Sequence, residues 1–344
     1  MTTIIGESPA ILRIIAQIDQ VAATTASVVL TGETGTGKEL AARAIHARSP
    51  RGGRPFVAIN CAAAPDSLIE SDLFGHERGA FTGADRRREG CFELANGGTL
   101  LLDEITEMRF ETQAKLLRVI EERKVSRLGS FREIPLDVRI LAASNRELQR
   151  AIGEGRLRSD LYYRLNVVSI ELPPLRDRIE DLRPLAEEFM RAFNRQHGKN
   201  VRGFSQDCLA ALGAYRWPGN VRELRNVIER AVVMSGSPVL SVLDLPKELG
   251  LCTAPGVGFM VRLGSTLAEV EKELITRTIS FVGGNKSRAA QVLGVGRRTI
   301  YKQLARYQPY ETSGRFGLSA PRTGGDGASS EAGASEPVAP LAGA

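Results

Sequence analysis

Val28-Val29-Leu30 runs into Gly32-Glu33-Thr34-Gly35-Thr36-Gly37-Lys38-Glu39 and then into the helical segment Leu40 to Ala47. Strand, glycine-rich turn and helix in that order make a phosphate-binding loop. The glycines let backbone N–H groups converge on phosphate oxygens, and the following helix points its positive end at them. Gly32, Glu33, Thr34, Gly35, Thr36 and Gly37 form the cradle, and Lys38 is placed to reach the β- and γ-phosphates of a nucleotide. The general pattern closes on Ser or Thr as a magnesium ligand, whereas Glu39 stands there in this chain.

Downstream, Thr99-Leu100-Leu101-Leu102-Asp103-Glu104 is an apolar run ending in two carboxylates. Such a run reads as a buried strand, and ligands in α/β sheets sit at strand ends. Adjacent acids there can divide the work. Asp103 helps hold magnesium, and Glu104 polarises a water for attack on phosphate. A second strand, Phe56-Val57-Ala58-Ile59-Asn60, ends in an asparagine that is either a plain turn residue or a hydrogen-bond partner for Glu104. An α/β fold with a parallel sheet follows from these three segments.

At 344 residues the chain can bury one large core plus one or two small domains. Its net charge of +6 points mildly to an anionic partner. Four scattered cysteines show no metal-ligand pairing, which fits a reduced cytoplasm. There is no basic-then-apolar leader and no run of about 18 apolar residues, so neither secretion nor a membrane span is expected.

Ser8-Pro9 opens a helix whose Ile11, Leu12, Ile14, Ile15, Ile18 and Val21 follow helical spacing. Only seven residues precede it, so a separate N-terminal domain is not expected. Pro65 to Phe74 suggests a short helix, and then comes Gly75-His76-Glu77-Arg78-Gly79-Ala80-Phe81-Thr82-Gly83-Ala84-Asp85. One large apolar side chain on a glycine-punctuated tip suits gripping a partner. A phenylalanine buried beneath its own loop is the plainer alternative.

Gly79-Ala80-Phe81-Thr82-Gly83-Ala84 resembles the signature loop of bacterial enhancer-binding proteins, the AAA+ activators of sigma-54 RNA polymerase. The phosphate loop, Glu39 included, is similar to that family's version. So is Gly90-Cys91-Phe92-Glu93-Leu94-Ala95-Asn96-Gly97-Gly98-Thr99 leading into Asp103-Glu104. The resemblance spans roughly residues 4–307. It implies an AAA+ P-loop ATPase with a small helical lid, using ATP and magnesium in a ring expected to be a hexamer. Gly79 to Ala84 would contact sigma-54. Lys124 to Val138 would carry a second pore-side loop, with Arg127, Gly129 and Pro135 as turn and edge residues. Arg139 to Ala143 is another buried strand, whose end at Ser144-Asn145 would sense the γ-phosphate; Thr is usual where Ser144 stands. Arg158 and Arg164 are candidate arginine fingers reaching the neighbouring subunit's nucleotide. Arg222, in Trp217-Pro218-Gly219-Asn220-Val221-Arg222, matches the family's second sensor. The lone Trp217 reads as lid packing.

From Asp181 onward the pattern is wholly helical, and residues 250–265 read as a Gly-rich linker. Leu267 to Phe281 is an amphipathic helix. Lys286 to Leu293 and Arg297 to Arg306, joined at Gly294-Val295-Gly296, form a helix-turn-helix. Six Lys/Arg and no acid lie between Asn285 and Tyr307. That asymmetry suits a DNA backbone, with Lys286 and Arg288 beside Arg297, Arg298, Thr299 and Lys302 facing the major groove. The unit resembles the Fis-type domain that ends these activators. Gly296 stands where Ser or Thr is commoner, so the recognition helix has a weaker cap. The expected divisions are 1–175 (ATPase subdomain), 176–249 (lid), 250–265 (linker), 266–310 (Fis-type domain) and 311–344, a Gly/Ala/Ser/Pro tail expected to be disordered.

These readings combine into an ATP-hydrolysing activator. It binds upstream, enhancer-like double-stranded DNA and converts the sigma-54 closed complex to an open one. Each site would join Lys38, Asp103 and Glu104 of one subunit to Arg158 and Arg164 of the next. Nucleotide state would pass from Glu104 through Asn60 to the loop bearing Phe81 and Thr82. Control by an inhibitory protein acting in trans, or by expression level, is expected. The competing readings are an AAA+ DNA-binding regulator not acting through sigma-54, a remodelling or clamp-loading ATPase, and a repressor with a dead ATPase. An intact Phe81 loop opposes the first, the helix-turn-helix the second, and Lys38, Asp103 and Glu104 the third.

Overall fold

The computed structural model describes residues 4–63, 66–246, 266–282 and 284–307, together with Leu249 and Gly264. The expected tail, and the expected linker apart from Gly264, lie outside the described residues. The chain divides into two compact units, Met1–Gly258 and Phe259–Ala344.

The first unit begins with α1 (Pro9–Ala22), capped by Ser8, whose Oγ accepts from Ile11 N. Then come β1 (Val28–Thr31), α2 (Lys38–Ala47), β2 (Phe56–Asn60), α3 (Asp66–Phe74), α4 (Cys91–Leu94) and β3 (Thr99–Asp103). They are followed by α5 (Phe110–Glu122), β4 (Lys124–Ser126), β5 (Glu133–Pro135), β6 (Arg139–Ser144), α6 (Leu148–Gly153), α7 (Ser159–Leu165) and β7 (Val168–Glu171). Five strands form a parallel sheet in the order β2-β3-β6-β1-β7. The two-residue period of a strand sends neighbours to opposite faces. Leu100, Leu102, Ile140 and Ala142 join one apolar cluster, while Leu101, Leu141 and Ala143 join another with α1 and α2. A sheet buried on both faces reads as a continuous apolar run, as Thr99–Leu102 does. Register puts Thr31 beside Ser144 and Asn60 beside Asp103. Thr31, Asn60, Asp103 and Ser144 therefore lie at one end of the sheet.

The rest of this unit is a lid built on α8 (Leu182–His197), α9 (Gln206–Ala214) and α10 (Asn220–Met234). It is not wholly helical as expected: Gly203–Phe204 (β8) and Val239–Leu240 (β9) form a two-residue parallel pair. Trp217 is fully buried at its centre and donates Nε1–H to the Leu212 carbonyl, which matches its expected packing role.

Among its described residues the second unit has three helices: α11 (Leu267–Phe281), α12 (Lys286–Val292) and α13 (Arg297–Tyr307). Thr266 and Glu269 form a reciprocal capping box at the start of α11. Asn285 caps α12 by accepting from the N–H groups of Ser287 and Arg288. Ile275, Ala290 and Ile300 form the apolar centre, with Ile279, Leu293 and Leu304 packed around it.

Candidate active site and partner surfaces

The phosphate loop and the ends of β3 and α10 enclose a cleft of about 340 Å³, lined by Thr34, Gly35, Gly37, Lys38, Glu39, Asp103, Glu104 and Arg222. Gly37 caps α2 at φ 107°, and Gly35 sits at φ 82°. A Cβ on Gly35 would lie 2.4 Å from the Gly219 carbonyl, so only glycine allows the lid this close to the loop. Lys38 is buried. Its ammonium donates to the carbonyls of Gly32 (2.8 Å) and Glu33 (3.3 Å) and lies 3.8 Å from Glu104 Oε1. Burial pulls its pKa below the ordinary lysine value, and the charges of Glu104 and Asp103 oppose that shift.

Glu104 has φ 54°, a left-handed conformation that costs a side-chain-bearing residue energy. Its N–H donates to Asp103 Oδ1 (3.1 Å), and its Oε2 accepts from Asn145 N (3.0 Å). The carboxylate thus points across the cleft between Lys38 and the end of β6.

Two expectations change here. Asn60 does not bond Glu104; its Oδ1 accepts from Ala62 N at 2.8 Å, the side-chain turn that asparagine commonly makes. Ser144 is fully buried, and its hydroxyl donates to Arg146 O and accepts from Arg146 N, so it does not reach the cleft. Asn145 is the residue that does, through Glu104 and through Nδ2 donating to Thr34 Oγ1 at 3.4 Å.

Other loop side chains have lid or surface duties. Glu33 accepts both Arg176 guanidinium N–H groups (2.6 and 2.8 Å) and Asn220 Nδ2 (3.1 Å), and these bonds hold its carboxyl down at about 2. Asn220, fully buried at φ 51°, also donates to Thr34 O and accepts from Leu175 N. Arg178 donates to Thr36 O, and Arg222 N donates to Gly35 O. Thr36 is buried, its hydroxyl donating to Glu33 O. Glu39 lines the cleft but pairs with Arg43 at its exposed rim. Nothing in the sequence pointed to Arg176 or Arg178. Gly219-Asn220 at a helix start could have suggested a left-handed turn.

Arg158 and Arg164 are not among the cleft-lining residues. Arg158 pairs with Asp160 at 2.7 Å and lies over the Phe110 ring. Arg164 is six residues on along α7 and lines a different cavity, beside Arg139 and Val167. Within one chain, neither completes the site.

The loop at residues 77–85 folds on itself. Gly79 N donates to Ala84 O, and Ala84 N to Phe81 O. Ala84 is buried, while Gly79, Thr82 and Gly83 are exposed and Ala80 is half-buried. Phe81 is 38% exposed, and its ring meets His76 edge-on at 5.1 Å. It is thus neither buried beneath the loop nor free of it. Arg127, expected as a turn residue, is instead buried and paired with Glu93 and with Glu77 (2.8 Å). In the second unit Lys286, Arg288, Arg297, Arg298, Thr299 and Lys302 are all exposed, while Ile300 turns inward. Lys286 lies over the Tyr301 ring.

Comparison with known families gives three matches in chain order. They are the "Sigma-54 interaction domain" over residues 4–171, the "AAA+ ATPase lid domain" over 176–253, and "Bacterial regulatory protein, Fis family" over 266–307. The chain belongs to the sigma-54 activator family. It is 49% identical over 302 residues to the transcriptional regulatory protein ZraR of Salmonella typhimurium, covering 88% of this chain and 68% of ZraR. It is 47% identical over 310 residues to the regulatory protein AtoC of Escherichia coli, covering 88% and 67%. Among solved structures it is similar to NtrX from Brucella abortus in complex with ADP, with a TM-score of 0.70, 36% identity and coverage of 88% and 69%. As a member of this family the chain is a DNA-binding, ATP-hydrolysing transcriptional activator that works on sigma-54 RNA polymerase. Among its described residues no helix is long and apolar enough to cross a membrane.

Proposed function

We propose that the cleft hydrolyses ATP with Glu104 as the base that orients and deprotonates the attacking water, and that the Phe81 loop delivers the resulting motion to sigma-54. The observation that carries this reading is Glu104. A carboxylate held at φ 54° on a strand end, 3.8 Å from the phosphate-loop lysine, is strain kept at a functional position. NtrX is described in complex with ATP as well as ADP, which supports ATP as substrate here.

Lys38 would leave its loop carbonyls for the β- and γ-phosphates. The backbone N–H groups of 34–38 would cradle them. Magnesium is commonly held by one or two carboxylates plus phosphate oxygens and water, and Asp103 at the cleft is suited to that role. When bound, the ion neutralises charge developing between the β- and γ-phosphates. Asn145 would hold Glu104 in place, and Asn60, in register with Asp103 on the adjacent strand, is available as its partner in another nucleotide state. Arg222 would read the nucleotide from the lid. Because Arg158 and Arg164 stand away from their own cleft, they would serve a neighbour's, which makes a closed ring, a hexamer in our proposal, the active form. The exposed Lys286, Arg288, Arg297, Arg298, Thr299 and Lys302 would bind duplex DNA and raise the ring's concentration at its promoter.

The deciding experiment records open-complex formation by sigma-54 RNA polymerase alongside ATP hydrolysis, for wild type and Phe81→Ala. We expect the variant to hydrolyse ATP without opening the promoter. Opening at the wild-type rate would remove the loop from the partner contact.

A further inference from the structure

At the end of the sheet opposite the nucleotide cleft, where β1, β6 and β7 begin, lies a second cavity of about 320 Å³. That volume sits at the small end of the range for ligand sites, about 300–1,000 Å³. Buried Phe92, Leu136 and Ile140 give it an apolar lining. Beside them stand four guanidinium groups, on Arg51, Arg123, Arg139 and Arg164, against the single carboxylate of Asp137.

That carboxylate is already engaged. Arg51 donates to Asp137 Oδ1 (2.6 Å), to the Asp137 carbonyl (2.8 Å) and to the Gly98 carbonyl (3.1 Å). Arg139 is only 3% exposed and donates to the carbonyls of Val21 (2.8 Å), Ala26 (3.2 Å) and Ala22 (3.3 Å). Val21 and Ala22 close α1, so these bonds cap a helix C-terminus, whose partial negative charge offsets about half of a unit charge. They use three of the five guanidinium N–H groups. Burial, and then the nearby charge of Arg51, press the Arg139 pKa below the ordinary arginine value. Among the described residues no carboxylate forms an ion pair with Arg123, Arg139 or Arg164. Three guanidinium groups therefore line one cavity without a counter-anion, whereas charges in such places are ordinarily paired.

We propose that this cavity binds a small phosphorylated molecule, with Arg123, Arg139 and Arg164 holding its phosphate groups. Guanidinium forks match phosphate oxygens two at a time, and a diphosphate carries enough negative charge to answer three cations where a lone carboxylate does not. The apolar lining suits the remainder of such a molecule. Arg164 gives the site a consequence, which rests on the reading that this arginine reaches a neighbouring subunit's nucleotide. An anion bound here competes for the same guanidinium and slows hydrolysis without entering the cleft that holds ATP.

The test titrates inorganic pyrophosphate into the full chain by calorimetry at fixed free magnesium. ADP and duplex DNA are present in saturating amounts, so that the phosphate loop and the basic helices are occupied. A single saturable site per chain is expected. Thr25→Glu puts a carboxylate on an exposed lining residue, and Arg123→Asn removes a cation but keeps a residue that tolerates φ 53°. Each should weaken pyrophosphate binding about tenfold or more. Absence of binding, or binding unchanged in either variant, overturns the proposal. Steady-state hydrolysis, read as ADP released, should show kcat lowered by pyrophosphate even at saturating ATP, and Thr25→Glu should abolish that loss. Pyrophosphate that binds and responds to both variants but leaves kcat unchanged upholds the site and removes Arg164 from the neighbour's nucleotide.

Discussion

The two units differ in where they put backbone strain. All four side-chain-bearing residues with positive φ among those described, Glu104, Arg123, Trp217 and Asn220, lie in the first unit. Among the described residues of the second unit only Gly264, Gly284 and Gly294 take such angles. The first unit has an apolar layer on each face of its sheet and a third cluster in the lid. The second has Ile275, Ala290 and Ile300 at its centre. A left-handed residue with a side chain costs about 1–2 kcal/mol, which a thick core can absorb and a thin one cannot. The difference follows the work each unit does. Glu104 lines the cleft and Asn220 reaches the phosphate loop, whereas the three-helix unit presents cations on a helix.

Glu104→Gln attacks the strained side of this contrast and should have the largest effect. The amide keeps the shape and the acceptor for Asn145 N but cannot take a proton. ATP hydrolysis should fall by about two orders of magnitude or more, with nucleotide binding retained. A variant that still hydrolyses at the wild-type rate would mean that the left-handed backbone at 104 serves packing and not chemistry.

Ile300→Ala attacks the thin core. Truncating a buried isoleucine costs about 2–5 kcal/mol, a large share of what so small a centre supplies. DNA binding should be lost while ATP hydrolysis in the first unit persists. Retained DNA binding would show that the caps at Thr266 and Asn285, and not the apolar centre, hold the three helices.

Legibility in the sequence followed the same division. Backbone-encoded features were readable because the residues that make them are few in kind. Glycines at 35 and 37, an apolar run at 99–102 and a glycine turn at 294–296 each permit little else. The basic face of the three-helix unit was readable because α13 is short and Ile300 fixes which side turns inward. The hydrogen-bond partners inside the cleft were not. Whether Glu104 meets Asn60 or Asn145, and whether Ser144 turns outward, depends on strand order and on angles of a few side-chain bonds. Arg127, Arg176 and Arg178 look like any surface arginine in the sequence. Only the fold brings Glu93, Glu33 and Thr36 to them.

Glu33→Gln probes the lid contact with a smaller effect. Hydrogen bonds from Arg176 and Asn220 depress the Glu33 pKa from an ordinary 4.5 to about 2. A group whose folded pKa is depressed stabilises the fold above its unfolded pKa and loses that contribution as pH falls through the folded value. The melting temperature of wild type should therefore exceed that of Glu33→Gln by a constant margin above about pH 4.5, and the margin should shrink toward pH 2. Both partners are partly exposed, so added salt should narrow it as well. The absence of any margin at any pH would put the lid's attachment on the bonds of Asn220 to Thr34 O and of Arg178 to Thr36 O.

The smallest effect is predicted where the thin unit lacks something. Asn285 caps α12 with two N–H bonds, but Gly296, at the corresponding place before α13, has no side chain to offer. Its backbone is not left-handed, and a Cβ there would meet only Thr299 Oγ1 at 3.6 Å, an ordinary contact. Gly296→Ser therefore fits without strain and can supply an acceptor for the first N–H groups of the recognition helix. Serine improves on glycine at such a position by only a few tenths of a kcal/mol. The gain is measurable in the isolated melting transition of the helix-turn-helix if that unit unfolds separately, and as slower amide exchange at Arg298 and Thr299. The same two residues are offered to DNA, so ordering them in advance should tighten binding modestly and by the same factor on every sequence. Tightening confined to one sequence would mean that the new hydroxyl touches a base, and Gly296 would then belong to the reading surface and not to the cap.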